Sequence, residues 1–422
     1  MFLQFHLLTA FPPHNVNRDE DGRPKTVRYG DVQRGRISSQ ARKRAIRMAG
    51  HFAGAEWDGT LGLPPEDGHL RRSTRTREAG LLAYDRLLTA GANPFAAVVV
   101  AQAVNVAIGG ADKLPKLEDI EKDFAKQKKV AGDDKQALRQ RLIAEKVIIS
   151  PQGLVVSTRE LARLDQKLAE LLNLINLNPK DDNVVVDWAK RLANDGLLTA
   201  DDIDEDIALF GRMVAANPER NEEAAVSLSH AITTHAYAPE ADYFSAGEEL
   251  NVQGGTGAAI TAYAYFGGGI YYQHAVVDVP HLAKRLGNAR AAKALDVLVH
   301  GLATAQPRGR RNAFASDTVA GWIALDAGTG PTSNLALAFL NPVTLRDKET
   351  GTKGDDLFAA SVARLLAFRK TLADAYGGVS KSCVFNAYTP LRQGNAPPAG
   401  EVWTLADFQA AVRHAAGFDG VA

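Results

Sequence analysis

Between residues 34 and 47 the sequence runs RGRISSQARKRAIR, six cations without an acid. Guanidinium and ammonium groups at that density suit the neutralisation of phosphates. The hydroxyls of Ser38 and Ser39 can accept the orphan N–H groups at a helix start. Projected at the helical period, Gln40, Lys43, Arg44 and Arg47 share one face, while Ala41, Ala45, Met48 and Phe52 fall on another. A solvated face would interleave acids with bases, because like charges at i, i+4 destabilise a helix. An anionic partner would offset that repulsion, and the helix N-terminus is itself a place for phosphate. The competing reading is a cationic face exposed only to solvent.

Other chemistry is sparse. GGTG at 254–257 lacks the Lys-Ser or Lys-Thr of a phosphate loop and reads better as a hairpin turn. His230 and His235 in HAITTH are five apart, off the i, i+4 spacing of helical zinc pairs, so hydrogen-bonding or buried histidines are expected. Asp19, Glu20 and Asp21 could hold a cation but read equally as a charged loop. The single cysteine, Cys383, forms no internal disulfide, and no nucleophile elbow accompanies it. The expectation is a protein that is not an enzyme and needs neither cofactor nor metal.

These residues must be positioned by recognisable elements. Phe2 to Leu8 alternates and reads as a strand; Pro12 to Arg34, rich in Pro, Gly and charge, reads as a long loop before the basic helix, which ends near Gly50. Residues 69–215 are helical in pattern, with the charged stretch Lys113 to Lys146 as a solvated excursion. From Ala225 onward, aromatic and β-branched residues alternate around glycines, predicting a hairpin followed by sheet. A helix over Asn288 to Ala305, a strand at 321–328, a helix around Leu357 to Tyr376 and an irregular tail complete the chain. Strand, basic helix, strands, helix and strand predict an α+β fold, an RRM-like (ferredoxin-like) sheet with a large helical insertion.

The whole composition agrees with a globular protein: 422 residues, 45% hydrophobic, with 49 basic and 49 acidic side chains. The most apolar run, Phe95 to Ile108, is broken by Gln102 and Asn105, so no membrane span is expected. MFLQFHLLTAFPP lacks a basic leader, and a cytoplasmic location is expected. Charge is segregated. Residues 23–47 hold nine Arg or Lys against Asp31 alone, whereas DDIDED at 201–206 is almost wholly acidic, a pattern compatible with head-to-tail self-association.

FLQFHLLTAFPPHNVNRDEDGRPKT, then GRISSQARKRAIR, then SLSHAITTH and DYF, resemble in order and spacing the CasC-type backbone subunit of the type I-E CRISPR surveillance complex, Cascade. The resemblance is specific at residues 1–50 and 226–250 and looser to about residue 330. It implies a palm (residues 1–57 and 222–422), a helical finger insertion (58–221) and a β-hairpin thumb (about 237–266). Such subunits polymerise along CRISPR RNA, present its bases to target DNA and join other Cascade subunits, without cutting. The match implies RNA contacts at Arg18, Lys25, Ser38, Gln40, Lys43, Arg44 and Arg47, an apolar wedge at Met213 in FGRM, and base displacement by Tyr243 and Phe244. Read without the resemblance, Met213 and Phe244 are ordinary core residues. The rivals are an RNA-cleaving, type III-like subunit using Asp19, and a stand-alone RNA-binding protein.

Overall fold

In the first strand, Phe2–His14, Leu3, Phe5 and Leu7 point one way and His6 and Leu8 the other. All five are buried, which requires a sheet covered on both faces. The computed structural model describes residues 1–50, 52–54, 70–177, 182–199, 201, 203–247, 258–345 and 356–420. It is a mixed α+β protein in two compact units, Met1–Ala49 with Ala225–Ala422, and Gly50–Ala224.

The first unit holds one large sheet. Its order is Glu401–Val402, Val379–Asn386, Ala320–Gly328, Phe2–His14, Ala258–Asp278, Ala231–Thr233, Val32–Ile37 and Thr26–Tyr29. The first strand is central, with Phe5 opposite Ala275 on one side and Leu325 on the other. Leu8, Tyr272, Trp322, Phe339 and Phe358 form the core on one face, to which the helix Leu357–Tyr376 contributes. On the other face Phe5 meets Phe408 of the helix Leu405–Ala416 edge-on, at 6.4 Å between ring centroids. In the second unit the helix Pro94–Ala107 is apolar but for Gln102 and Asn105, with Val98, Val100, Ala101 and Val104 fully buried, as a central helix must be. Among the described residues, no helix is long and apolar enough to cross a membrane.

Several expectations are corrected. The loop predicted over Pro12 to Arg34 contains a hairpin, Thr26–Tyr29 against Val32–Ile37. Its two-residue turn has φ of 59° at Gly30 and 62° at Asp31, the paired positive values that hairpin twist favours. The expected solvated excursion is two amphipathic helices, Leu117–Ala131 and Lys135–Ala144, whose Ile120, Phe124, Leu138 and Leu142 enter the unit's core. The tail expected to be irregular supplies two strands and the Phe408 helix. The turn expected at Gly254 to Gly257 lies outside the described residues.

Buried histidines give the first unit an acid-sensitive core. Burial lowers His14 and His274 from 6.5 to about 4. His6, stacked on His274 at 4.9 Å, is held well below its usual value by burial and then by the charges of His274 and Arg369. These rings are neutral when folded, whereas the unfolded chain binds their protons at ordinary pH values. Their contribution to stability is therefore full above pH 6.5 and is lost as pH falls toward 4, at about 1.4 kcal/mol per pH unit for each ring. Hydrogen exchange in Phe2–His14 and Ala258–Asp278, corrected for intrinsic rate, should lose protection between pH 6.5 and 4.5. Unchanged protection would remove these rings from the stability of the unit.

Candidate nucleic-acid interface

The basic helix spans Ser39–Arg47 and begins as its sequence requires. Ser38 is the N-cap, its Oγ accepting the Ala41 N–H at 3.2 Å. The Ser38 N–H donates to Asn17 Oδ1 and the Ser39 N–H to His230 Nδ1, both at 2.9 Å. The helix start expected to receive phosphate is thus largely occupied by protein acceptors. Burial, then the charges of Arg36 and Lys25, lower the pKa of His230, which keeps its imidazole a neutral acceptor.

The helix turns a different side inward from the expected one. Arg42 and Ile46 are its buried residues, whereas Met48 is 50% exposed and Phe52 lies beyond the helix in the strand Phe52–Gly54. Ile46 sits over Gly301, where a Cβ would come within 2.8 Å of it. Arg42 donates to Gln273 Oε1 at 2.9 Å, Leu302 O at 3.0 Å, Gln306 Oε1 at 2.6 Å and Ala305 O. Arg34 is fully buried and donates to the carbonyls of Tyr29, Thr233, Phe339 and Leu340. Burial lowers both guanidinium groups to about 10, so both stay charged at neutral pH. Two of the six cations in RGRISSQARKRAIR therefore tie the fold together rather than present charge to solvent.

The remaining cations gather. Gln40 and Arg44 are exposed and Lys43 and Arg47 half-buried on the outer side of the helix, and burial lowers the pKa of Lys43. Beside the helix start, the Lys25 N–H donates to Asn17 O at 2.9 Å and the Arg36 N–H to Lys25 O at 2.8 Å. Asn17 thus links Lys25 to Ser38. Arg18, exposed, bridges Pro24 in the same loop. Asp19 closes that loop, its Oδ1 accepting the Arg23 N–H at 2.8 Å. Arg18, Lys25, Ser38 and the helix residues are therefore one neighbourhood, with Ser38 buried as its cap. Asn17 is the positioning residue not singled out in the sequence, because its acceptor role depends on Ser38, 21 residues away; His230, expected only as a buried or hydrogen-bonding histidine, is the acceptor of the Ser39 N–H.

Tyr243 and Phe244 lie on Glu240–Gly247, a strand paired with Ala258–Asp278 and exposed along its length. Tyr243 opposes Tyr263, with rings 5.4 Å apart, and Phe244 opposes Ala262. Neighbours along a strand face opposite ways, so Tyr243 and Phe244 stand on opposite faces of the ribbon. Their exposures are 59% and 45%, and core packing is excluded for both. Met213, in the second unit, is 79% exposed and also outside the core. Its neighbours hold it out: Val214 is buried, and buried Arg212 donates to both Glu160 oxygens at 2.8 Å.

His235 is a hydrogen-bonding residue, its Nε2 accepting the Ile270 N–H at 3.1 Å. Cys383 is a buried free thiol. Among the described residues, no group of three or more His, Cys, Asp or Glu is arranged to hold a metal ion.

The family described as CT1975-like protein matches residues 3–408. A solved chain of a "CRISPR RNA-guided surveillance complex, pre-nicking" has a TM-score of 0.71 at 21% identity, covering 99% of this chain and 100% of that one. A chain of a second "CRISPR RNA-guided surveillance complex" has a TM-score of 0.62 at 18% identity, covering 97% and 100%. At these identities the likeness is one of fold. No curated protein matches the chain.

Proposed function

Because the chain belongs to the CT1975-like protein family, we propose that it is the backbone subunit of a Cascade surveillance complex, of the CasC type in a type I-E system. It polymerises along CRISPR RNA, holds the guide by its phosphates and leaves the bases free to pair with target DNA. The observation that carries this reading is the run of Gln40, Lys43, Arg44 and Arg47 along one N-capped helix, whose cap Ser38 is tied through Asn17 to the loop of Arg18 and Lys25, on a fold shared with surveillance-complex chains. Such a surface contacts backbone rather than base edges, and a subunit that must accept every guide needs that indifference. In this reading the large sheet is an RRM-like palm, the helical unit the fingers and the exposed ribbon the thumb. Met213 wedges beside displaced bases, and Tyr243 and Phe244 act from the ribbon. Other Cascade subunits complete the particle in the cytoplasm.

The test is co-purification followed by sequencing of the bound RNA. Recovery of repeat-flanked guides of many spacer sequences supports the reading; recovery of unrelated cellular RNA, with a particle size unaffected by guide, favours a stand-alone RNA-binding protein.

The subunit does no chemistry in this proposal. Guide RNA, complementary RNA and target DNA should all survive incubation with purified filament and magnesium. Asp19, whose carboxylate holds the loop at Arg23, is the residue to vary. Asp19→Asn retains an acceptor there and removes the charge. Cleavage by the native protein that this variant abolishes would establish the RNA-cleaving, type III-like alternative.

A further inference from the structure

The exposed ribbon has two chemically different faces. Its register puts Tyr243 opposite Tyr263 and Ala241 opposite Tyr265, so all three tyrosines stand on one side. Phe244, Ala262, Ala264 and Phe266 stand on the other, where Phe266 meets Phe314 at 5.7 Å. The tyrosine side does not stop at the ribbon. The Arg23 guanidinium lies over the Tyr265 ring, 5.1 Å from its centroid. Asn15 Nδ2 donates to the carbonyls of Tyr265 at 2.7 Å and of Gly22 at 2.9 Å, tying the ribbon to the loop that carries Arg18 and Lys25.

We propose that Tyr243, Tyr263 and Tyr265, extended by Arg23, form a stacking track for unpaired RNA bases that continues the basic surface onto the ribbon, on the face opposite Phe244. The inference rests on the RNA-binding reading above and adds residues and a side to it. Tyrosine faces accept any base, which suits a guide of variable sequence. A guanidinium plane offers a further stacking surface and a charge for the adjoining phosphate. Same-side residues two apart on a strand are separated by about 7 Å, room for rings to receive successive splayed bases. A cross-strand tyrosine pair also stabilises a hairpin modestly, so stability alone cannot test the role.

The full-length protein is bound to single-stranded oligouridine carrying 4-thiouridine, irradiated, and the adducts are mapped by mass spectrometry. Adducts are expected at Tyr243, Tyr263 or Tyr265. In parallel, Tyr263→Ala should weaken binding about tenfold at every salt concentration without changing the salt slope, because removing a stack releases no counterions. Tyr263→Phe keeps the ring and should restore affinity. Adducts at none of the three tyrosines, or native affinity in Tyr263→Ala, overturn the track. A native protein that binds no oligouridine and yields no RNA on purification overturns the RNA-binding reading itself, a result distinct from the other two.

Discussion

The double variant Lys43→Glu/Arg47→Glu should lose on the order of 100-fold in RNA affinity at physiological salt, equally for every RNA sequence, while remaining folded. Both residues lie on the outer side of the helix, away from the Arg42 and Ile46 anchor. Their reversal frees two phosphates of the RNA from their cations and places two acids beside Arg44. Every phosphate of a single strand that is no longer neutralised lowers the salt slope by about 0.7, so the plot of log affinity against log salt should flatten by about 1.4. Burial already pushes the Lys43 ammonium below its usual pKa. A phosphate opposite that group restores the solvation it lacks, so its removal weighs more than that of a fully exposed lysine. Filter binding across a salt series, with oligomers of different composition, measures both quantities. A loss confined to certain sequences would mean base readout, and an unchanged slope would place the RNA elsewhere.

The helix was legible because capping and periodicity agree: Ser38 precedes Lys43, Arg44 and Arg47 at spacings that leave them on one side. Its inward side was not. A buried arginine is normally betrayed by a carboxylate partner, and Arg34 and Arg42 instead use carbonyls and amides such as Thr233, Phe339, Leu302 and Gln273, some two to three hundred residues away. The hairpin over Thr26–Tyr29 and Val32–Ile37 had a signal, Gly30-Asp31 between alternating residues, that the surrounding charge obscured. The same masking hid Ile120 and Phe124, four apart on a lysine-rich helix. Tyr263 stands in the alternating AYAYF, yet its partnership with Tyr243 depends on register, and a shift of one residue would have paired it with the other face. The tail's helix is fixed by Phe408 against Phe5, a packing that no local pattern reports.

Adjacent residues on the basic helix should fail in opposite ways. Arg42→Ala should cost about 3–5 kcal/mol of stability, because it removes a buried charge and strands the acceptors that charge was holding. Those acceptors are Gln273 Oε1, Leu302 O, Ala305 O and Gln306 Oε1. Gln273 also donates to Ser229 O at 2.9 Å, so the damage extends to the segment that carries His230, which caps the same helix. Arg42→Lys keeps a cation of shorter reach with three donors, cannot serve all four acceptors from one nitrogen, and should recover only part of the stability. In urea denaturation the midpoint should fall in both variants, further in the alanine. At low denaturant, the folded fraction should bind RNA with the native salt slope, since Arg42 is 2% exposed and neutralises no phosphate. If instead Arg42→Ala leaves the unfolding free energy within about 1 kcal/mol of native and flattens the salt slope, Arg42 reaches the RNA, and the division of this cationic run into buried ties and an outer grip is wrong.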